Sequence, residues 1–374
     1  MEGIKRNILE LTKTLIEMRG DCGERANCSA EYVFQYLKDH GLKPEILENQ
    51  GHKMISCRVE RGERCLILNG HLDVVAGREE QYKIRIEEDR LYGRGSYDML
   101  GSCAVMICFA CWYARYGDGA SLWLTLSTTE ETQGEICTGY LTDHGVTGEF
   151  AICGEPTNLQ ISVMSKGVLR LSGIMHGKAA HSSRPWLGDN ALIRIYRFYE
   201  NILKLPFAIR RNAYFNGASI NLSKVCGGVV MNQVPERAEF VIDIRYLPGD
   251  DPEAITKEIC TLDSQVELTS CSVLPAVEVM EDNCWLNVLK KSVTAALGEP
   301  CHLMAQHGAA DTVFFQNHGI PSVEFGLCGA GHHGPEEYVE ISSMARFFQC
   351  LKEMAERMER WDEAGSDIGK QQNN

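Results

Sequence analysis

The sequence lacks the features of several protein classes. Its 374 residues carry a net charge of −14, so there is no basic excess of the kind that binds nucleic acid or an anionic membrane surface. The first twenty residues carry charges throughout and lack the apolar core of a signal peptide. The longest apolar run, 105–114, is about half a membrane span. We therefore expect a cytoplasmic protein without nucleic-acid or membrane partners, in which this run forms a buried helix.

Cysteine is abundant, but its arrangement fits neither a disulfide framework nor a zinc finger. The chain has 16 cysteines, several of them within apolar runs, such as Cys65, Cys103 and Cys153. Cys108 and Cys111 have CxxC spacing, yet they lie inside an apolar helical stretch with no second pair at zinc-finger distance. We expect reduced, buried cysteines that serve core packing, as in a cytosolic protein.

The pattern of apolar segments predicts two domains, one inserted into the other. A chain of this length exceeds one comfortable core. Residues 1–165 and 277–374 alternate short apolar runs with helical segments, which is typical of an α/β sheet. Residues 166–276 instead follow the order βαββαβ of a ferredoxin-like sandwich. The polar tail after Trp361 is expected to be disordered.

Polar side chains of metal-binding type follow the predicted strands of the discontinuous α/β domain. In open α/β sheets, ligands bind beyond the carboxyl ends of the strands. The predicted strands "CLIL", "LWLTLS", "FAIC" and "SVEFG" are each followed by histidines or carboxylates. A fifth segment, "LYGRGSYDMLG", places Asp98 just before a predicted helix. These side chains are His71, Asp73, Asp98, Glu130, Glu131, Glu155, His332 and His333. Their shared placement predicts one site at this edge of the sheet.

The residue types in this set favour metal ions. Histidine and carboxylate without cysteine suit zinc, manganese or cobalt. One histidine from each end of the set, together with three carboxylates, makes about five ligands, whereas one open catalytic zinc keeps about three. Two metals sharing a bridging carboxylate would use all of them. We therefore predict a two-metal centre in the discontinuous domain.

The remaining carboxylates have other expected tasks. Asp73 lies two residues after His71 and could accept a hydrogen bond from the second ring nitrogen of that histidine. Glu130 and Glu131 are adjacent and cannot point the same way. If one of them binds a metal, the other is free to act as a general base.

Six motifs resemble the zinc aminoacylase and exopeptidase family that includes acetylornithine deacetylase, succinyl-diaminopimelate desuccinylase and carboxypeptidase G. They are "GHLDVV", "GRGSYDMLG", "TTEETQG", "GEPT", "AAHSSRPWLGDNA" and "MNQVPERAEFVIDIRYLPG". The likeness spans nearly the whole chain, and the segments come in the family's order. It implies an α/β fold with a zinc-exopeptidase-like catalytic domain, helices on both faces of a mixed sheet, and an inserted βαββαβ lid that serves homodimerisation.

The resemblance also implies roles for the clustered residues. Two Zn²⁺ ions per subunit, or Co²⁺ or Mn²⁺ in their place, would be held by His71 and Glu155, by Glu131 and the terminal histidine, and by a bridging Asp98. Glu130 would be the general base and Asp73 the partner of His71. In the family, the terminal loop has a glutamate four residues after the ligand histidine. The segment "HGPEEYV" keeps this spacing between His333 and Glu337, so the resemblance selects His333 as the ligand and leaves His332 outside the metal shell.

In the lid, the resemblance points to three further residues. His181 would steady the oxyanion, in the family from a neighbouring subunit, and Arg245 would bind the substrate carboxylate, with Asn232 as a further substrate contact. One segment departs from the family. Many members have Thr-Ser-Asp-x-Arg where residues 308–313 read Gly-Ala-Ala-Asp-Thr-Val, so the arginine expected near Val313 is missing and substrate recognition on that side is open.

The resulting functional prediction is a two-metal hydrolase that cleaves the amide bond of a small N-acyl amino acid, of the acetylornithine deacetylase or succinyl-diaminopimelate desuccinylase type. A dipeptidase or carboxypeptidase of the same family would use identical chemistry, and the metal ligands do not separate the two. The alternative from another class is a non-catalytic metal-binding relative. Such a relative should have lost ligands or the base, and all of these residues are present.

Overall fold

A computed structural model describes residues 2–361, and the tail predicted to be disordered lies outside this range. The chain divides into two compact units. The first comprises residues 2–163, 279–304 and 310–361, and the second comprises residues 164–278 and 305–309. The expected lid limits were 166–276, so the second unit is slightly larger and includes a short segment from near the end of the chain.

Helices and strands alternate along the chain. The α-helices are α1 Glu2–Met18, α2 Gly23–Asp39, α3 Gly101–Tyr116, α4 Glu130–Gly134, α5 Tyr140–Asp143, α6 Ala191–Ile202, α7 Pro206–Ile209, α8 Pro252–Thr261, α9 Cys284–Leu297, α10 Thr312–Asn317 and α11 Ile341–Glu359. Short 3₁₀ segments span Glu79–Tyr82 and Pro185–Leu187, and π-helical turns span Ser96–Leu100 and Glu135–Gly139. The strands are β1 Glu45–Asn49, β2 His52–Val59, β3 Cys65–His71, β4 Arg85–Glu87, β5 Arg90–Tyr92, β6 Ser121–Ser127, β7 Phe150–Cys153, β8 Ile161–Ser165, β9 Gly167–His176, β10 Ser219–Gly227, β11 Arg237–Tyr246, β12 Val266–Leu274, β13 Val277–Glu278, β14 Leu303–Gln306, β15 Ser322–Glu324, β16 Gly329–Ala330 and β17 Tyr338–Glu340.

The first unit is built on a mixed sheet with the strand order β1-β2-β6-β3-β7-β15-β8. Strand β3 is parallel to β6 and β7, and β7 is parallel to β15, whereas the outer pairs are antiparallel. All seven residues of β3 are buried, as expected for a central strand covered on both faces. Ile67 packs with Ile136 and Phe315 on one face, and a Cβ at Gly70 would lie 2.7 Å from Cys103 Sγ of α3 on the other. The predicted mixed α/β fold is confirmed.

Helix α3 is the predicted buried helix. The segment Ser96–Tyr116 is long and apolar enough to cross a membrane by composition, but 83% of its apolar window is buried inside the fold. Phe109, at the middle of α3, stacks edge-on against Phe348 of α11 with ring centroids 5.2 Å apart. Cys108 and Cys111 are buried on this helix, and all sixteen cysteines are free. The CxxC pair therefore packs in the core, as predicted.

The second unit has the predicted βαββαβ order. Its antiparallel sheet runs β10-β11-β9-β12, which is the ferredoxin-like arrangement. Alternate residues of β9 and β11 are buried against α6 and α8, where Phe198 and Ile259 join the core. Both helices start at a polar capping residue. The Asn190 side chain accepts a hydrogen bond from the backbone amide of Leu192 at the start of α6, and the Asp251 side chain accepts one from the amide of Glu253 at the start of α8.

A third, small sheet was not predicted. It has the order β16-β17-β5-β4 and belongs to the first unit. Each of its strands has only two or three residues, too few to show an alternating pattern in the sequence. This sheet pairs Tyr338 with Tyr92, and it thereby brings the loop of the terminal histidines next to the loop that precedes α3.

Candidate metal centre

The clustered side chains occupy the carboxyl edge of the parallel strands. Strand β3 ends at His71, which lies in register with Ser127 at the end of β6. Three residues further on, Glu130 begins α4. Strand β7 ends at Cys153, and Glu155 follows it. Because these strands are parallel neighbours, their ends meet at one edge, as the sequence pattern predicted.

The first candidate metal position is formed by His71, Asp98 and Glu155, whose ligand atoms all lie within 4.8 Å of one another. His71 Nε2 is 3.3 Å from Asp98 Oδ1 and 3.9 Å from Glu155 Oε1. His71 is 1% exposed, and its Nε2 atom has no hydrogen-bond partner within residues 2–361. A buried ring nitrogen aimed at two carboxylates fits a metal ligand, because an unsatisfied buried polar atom is otherwise costly.

The second candidate position shares Asp98 with the first. His333 Nε2 is 3.3 Å from Asp98 Oδ2 and 3.1 Å from Glu131 Oε1. The two carboxylate oxygens of Asp98 thus face different histidines, which is the geometry expected of a bridging ligand. His332, by contrast, is exposed, and its ring centroid lies 6.2 Å from that of Tyr97. The structure therefore brings His333 into the cluster and leaves His332 outside it.

Proton affinities in this cluster reflect crowded carboxylates. Burial alone would lower the pKa of His71, but the Asp98 carboxylate beside its Nε2 atom and the nearby glutamates raise the pKa well above its usual value. Hydrogen bonds with Asp98 and Glu131 raise the pKa of His333 to about 10. Burial raises the pKa of Glu130 and of Glu155 well above the usual value of a glutamate. Excess negative charge of this kind is what a divalent cation would compensate.

Asp73 contacts its expected neighbours through different atoms. His71 Nδ1 lies 2.8 Å from the main-chain carbonyl oxygen of Asp73, whereas the nearest carboxylate oxygen of Asp73 is 3.7 Å away. The carboxylate instead accepts hydrogen bonds from the backbone amides of Glu130, at 3.3 Å, and Glu131, at 3.0 Å. Asp73 therefore fixes the His71 ring through its main chain and the start of α4 through its side chain.

One buried carboxylate near the centre was not predicted. Asp311 Oδ2 accepts hydrogen bonds from Thr138 Oγ1 at 2.5 Å and Ser127 Oγ at 3.3 Å, while Oδ1 has no hydrogen-bond partner in the part of the chain that the structure describes. Burial raises the pKa of Asp311 to about 7. A Cβ at Gly134 would lie 2.6 Å from Asp311 Oδ1, so this carboxylate packs against the end of α4. The available signal was a single acidic residue between a strand and an apolar helix.

The three residues predicted in the lid all belong to the second unit. The backbone of His181 pairs with Gln233, and the amide of Ser182 donates to the carbonyl of Asn232 at 2.9 Å. His181 and Asn232 are thus brought onto neighbouring segments. Arg245 lies on β11, where its Nε donates to Asp243 Oδ1 at 2.8 Å.

This fold and centre define the class of the protein. A mixed α/β sheet whose carboxyl edge holds histidines and carboxylates in two groups joined by one aspartate is that of a metal-dependent amidohydrolase. Residues 67–357, well over half of the chain, match Peptidase family M20/M25/M40. The chain belongs to this family, which confirms the resemblance described above.

Similar proteins agree with this assignment. The chain is 25% identical over 366 residues to the succinyl-diaminopimelate desuccinylase of Legionella pneumophila, an alignment that covers 90% of this chain and 95% of that protein. The aminopeptidase PepT of Bacillus cereus has a TM-score of 0.78 and 16% identity, with 94% of this chain and 98% of that one covered. YXEP of Bacillus subtilis, described as a dinuclear metal-binding peptidase of the M20 family, has a TM-score of 0.70 and 13% identity, with 95% and 98% covered. The two solved structures share the fold of this chain.

Proposed function

We propose that the protein is a two-metal hydrolase that cleaves the amide bond of a small N-acyl amino acid. The observation that carries this proposal is Asp98, which presents one oxygen to the His71 group and the other to the His333 group. His71 and Glu155 would hold one ion, Glu131 and His333 would hold the other, and Asp98 would bridge them. We propose Zn²⁺ for both positions, with Co²⁺ or Mn²⁺ able to take its place.

Bound divalent ions would supply Lewis acidity, which polarises the substrate carbonyl and acidifies water. The chain supplies the proton transfer. Glu130 belongs to neither group, but its Oε2 atom lies 3.8 Å from Nε2 of His71 in the first. Its buried carboxylate has a raised pKa, which suits a group that takes a proton from the attacking water and returns it to the leaving amine. Asp73 holds the backbone of this base in place.

The proposed substrate class rests on sequence relatives. The Legionella pneumophila relative is named a succinyl-diaminopimelate desuccinylase, and the alignment extends over nearly all of both chains. A dipeptidase or carboxypeptidase activity is the second candidate. One observation bears on it: Val313, a buried apolar residue, stands where many members of the family have an arginine, so the usual substrate recognition on that side is missing.

For the second unit we propose that His181 stabilises the oxyanion and that Arg245 and Asn232 bind the substrate. We also propose that this unit forms a homodimer. Its edge strand β10 is largely exposed, and Ile193 and Tyr196 on α6 are more than half exposed, as expected of a pairing surface. A cytoplasmic location, with no nucleic-acid or membrane partner, accords with the free cysteines and the charge of −14.

The test is a substrate panel combined with metal analysis. Purified protein loaded with Zn²⁺ is assayed in parallel on succinyl-diaminopimelate, acetylornithine, other N-acyl amino acids, dipeptides and tripeptides, with bound metal measured on the same sample. We expect about two ions per chain and the highest kcat/KM on an N-acyl amino acid. Preference for a dipeptide would favour the second candidate. Turnover of none of these substrates by protein carrying two ions would refute both.

A further inference from the structure

A buried ion pair lies behind the second candidate metal position. Arg94 Nη1 and Glu337 Oε2 are 2.7 Å apart, and the two side chains are only 3% and 1% exposed. A buried ion pair by itself contributes little net stability, because both charges lose their hydration. The surroundings of this pair therefore matter more than its own attraction.

Both oxygens of Glu337 bind the loop that carries Asp98. Besides Arg94, Oε2 accepts from the backbone amide of Gly95 at 3.0 Å. Oε1 accepts from the amides of Tyr97 and Asp98, each at 3.1 Å. The carboxylate thus accepts four hydrogen bonds, and three of them come from the short segment that ends at the shared aspartate.

Arg94 extends the same network to the other loop. Its Nη2 atom donates to the carbonyl oxygen of His333 at 3.2 Å. His333 itself has a left-handed backbone, with φ of 59°, which is an uncommon conformation for a residue other than glycine. The small sheet sets this arrangement, because β5 ends just before Arg94 and β17 begins just after Glu337.

We propose that Glu337 and Arg94 are positioning residues of the metal centre. Through the backbone, they fix Asp98 and His333 in the relative position at which both can bind the same ion with Glu131. This inference rests on the proposed two-metal function. Residues that orient metal ligands in this way typically change metal affinity by about 10–100-fold when they are replaced.

The test is Glu337→Gln, with Glu336→Gln as the matched control. Glutamine keeps the shape of Glu337, but its amide group would face N–H donors and leave Arg94 without a countercharge. Glu336 is the adjacent residue of the same loop, and its side chain is 73% exposed in a pair with Arg85. Metal-free proteins are titrated with Zn²⁺ by calorimetry and with Co²⁺ by visible absorption. We expect Glu337→Gln to lower the binding affinity for one of the two ions by about 10–100-fold and to alter the Co²⁺ spectrum, whereas Glu336→Gln should behave like the wild type.

Circular dichroism and melting of the metal-free variants show whether each one folds. If Glu337→Gln does not fold, the same metal titrations are carried out on Arg94→Lys. Lysine retains the positive charge beside Glu337 but has no planar fork to reach the His333 carbonyl as well. A folded variant of either kind that binds two ions with wild-type affinities and a wild-type Co²⁺ spectrum would overturn the inference and leave the proposed function standing. Wild-type protein that takes up fewer than two ions would instead overturn the two-metal function, and this inference with it.

Discussion

Replacement of Glu130 by glutamine separates proton transfer from metal binding. The two carboxylates at the start of α4 are adjacent, yet only Glu131 belongs to a candidate metal group. Asp73 holds both through their backbone amides, so a change of the Glu130 side chain leaves that anchoring in place. Glutamine fills nearly the same volume but cannot accept a proton from water. Glu130→Gln should therefore retain the metal and lose the reaction.

The magnitude follows from the task of the residue. General acid–base catalysis by one positioned group contributes about 10²–10⁴-fold, which corresponds to roughly 3–5 kcal/mol of transition-state stabilisation. Because the base acts in the chemical step, the loss should appear in kcat, whereas KM changes little. The assay is steady-state kinetics on the best substrate of the panel, with metal content measured on the same preparations.

Glu131→Gln is the matched comparison. Glu131 Oε1 lies 3.1 Å from His333 Nε2, so its replacement should remove a ligand and lower the metal content to about one ion per chain. A Glu130→Gln variant with wild-type kcat would refute the role of Glu130 as the base. Loss of metal in Glu130→Gln, equal to that in Glu131→Gln, would show that Glu130 is a ligand rather than a base.

Three further outcomes are expected. His333→Ala should lose one ion on dialysis, with affinity reduced more than the 10–100-fold typical of an outer contact, whereas His332→Ala should keep both ions; equal metal contents would contradict the assignment. Zn²⁺ uptake by metal-free protein at pH 7 should release protons, because the raised pKa values of His71 and His333 keep both rings protonated until they bind the metal. Calorimetry in buffers of different ionisation heat measures this release, and a binding enthalpy that is the same in every buffer would contradict the prediction. Asp311 has a folded-state pKa of about 7 against an ordinary value of 3.8, so in metal-free protein its contribution to the free energy of unfolding falls as pH rises from about 4 to 7. Asp311→Asn should remove that decline, and urea unfolding should show its stability relative to the wild type increasing over this range and levelling off above pH 7.

The convergence of the metal-type side chains could be predicted because it depends on topology alone. Once β3, β6 and β7 are assigned as parallel strands, the residues that follow them must lie at one edge, whatever the details of packing. The same reasoning applied to the βαββαβ insertion, where alternating burial in β9 and β11 is readable from the sequence.

Interactions that depend on single atoms could not be predicted. The spacing of His71 and Asp73 suggested a carboxylate–imidazole contact, but the main-chain carbonyl oxygen of Asp73 lies 2.8 Å from the ring and its carboxylate 3.7 Å away. The freed carboxylate then caps the backbone of α4, a contact between residues 57 positions apart. Spacing along one strand carries no information about a partner at that distance.

The contacts of Glu337 illustrate the same limit of sequence-based prediction. Its spacing from His333 was visible and helped to choose between the two histidines, yet its side chain serves a loop about 240 residues earlier in the chain. That contact depends on strands of two or three residues, which have no readable period. His333 differs from His332 in its backbone contacts as well as in the direction of its ring. The carbonyl oxygen of His333 accepts from Arg94, Arg94 pairs with Glu337, and Glu337 accepts from the amide of Asp98. One network thus joins the proposed ligand to the proposed bridge, and His332 enters it through no described hydrogen bond.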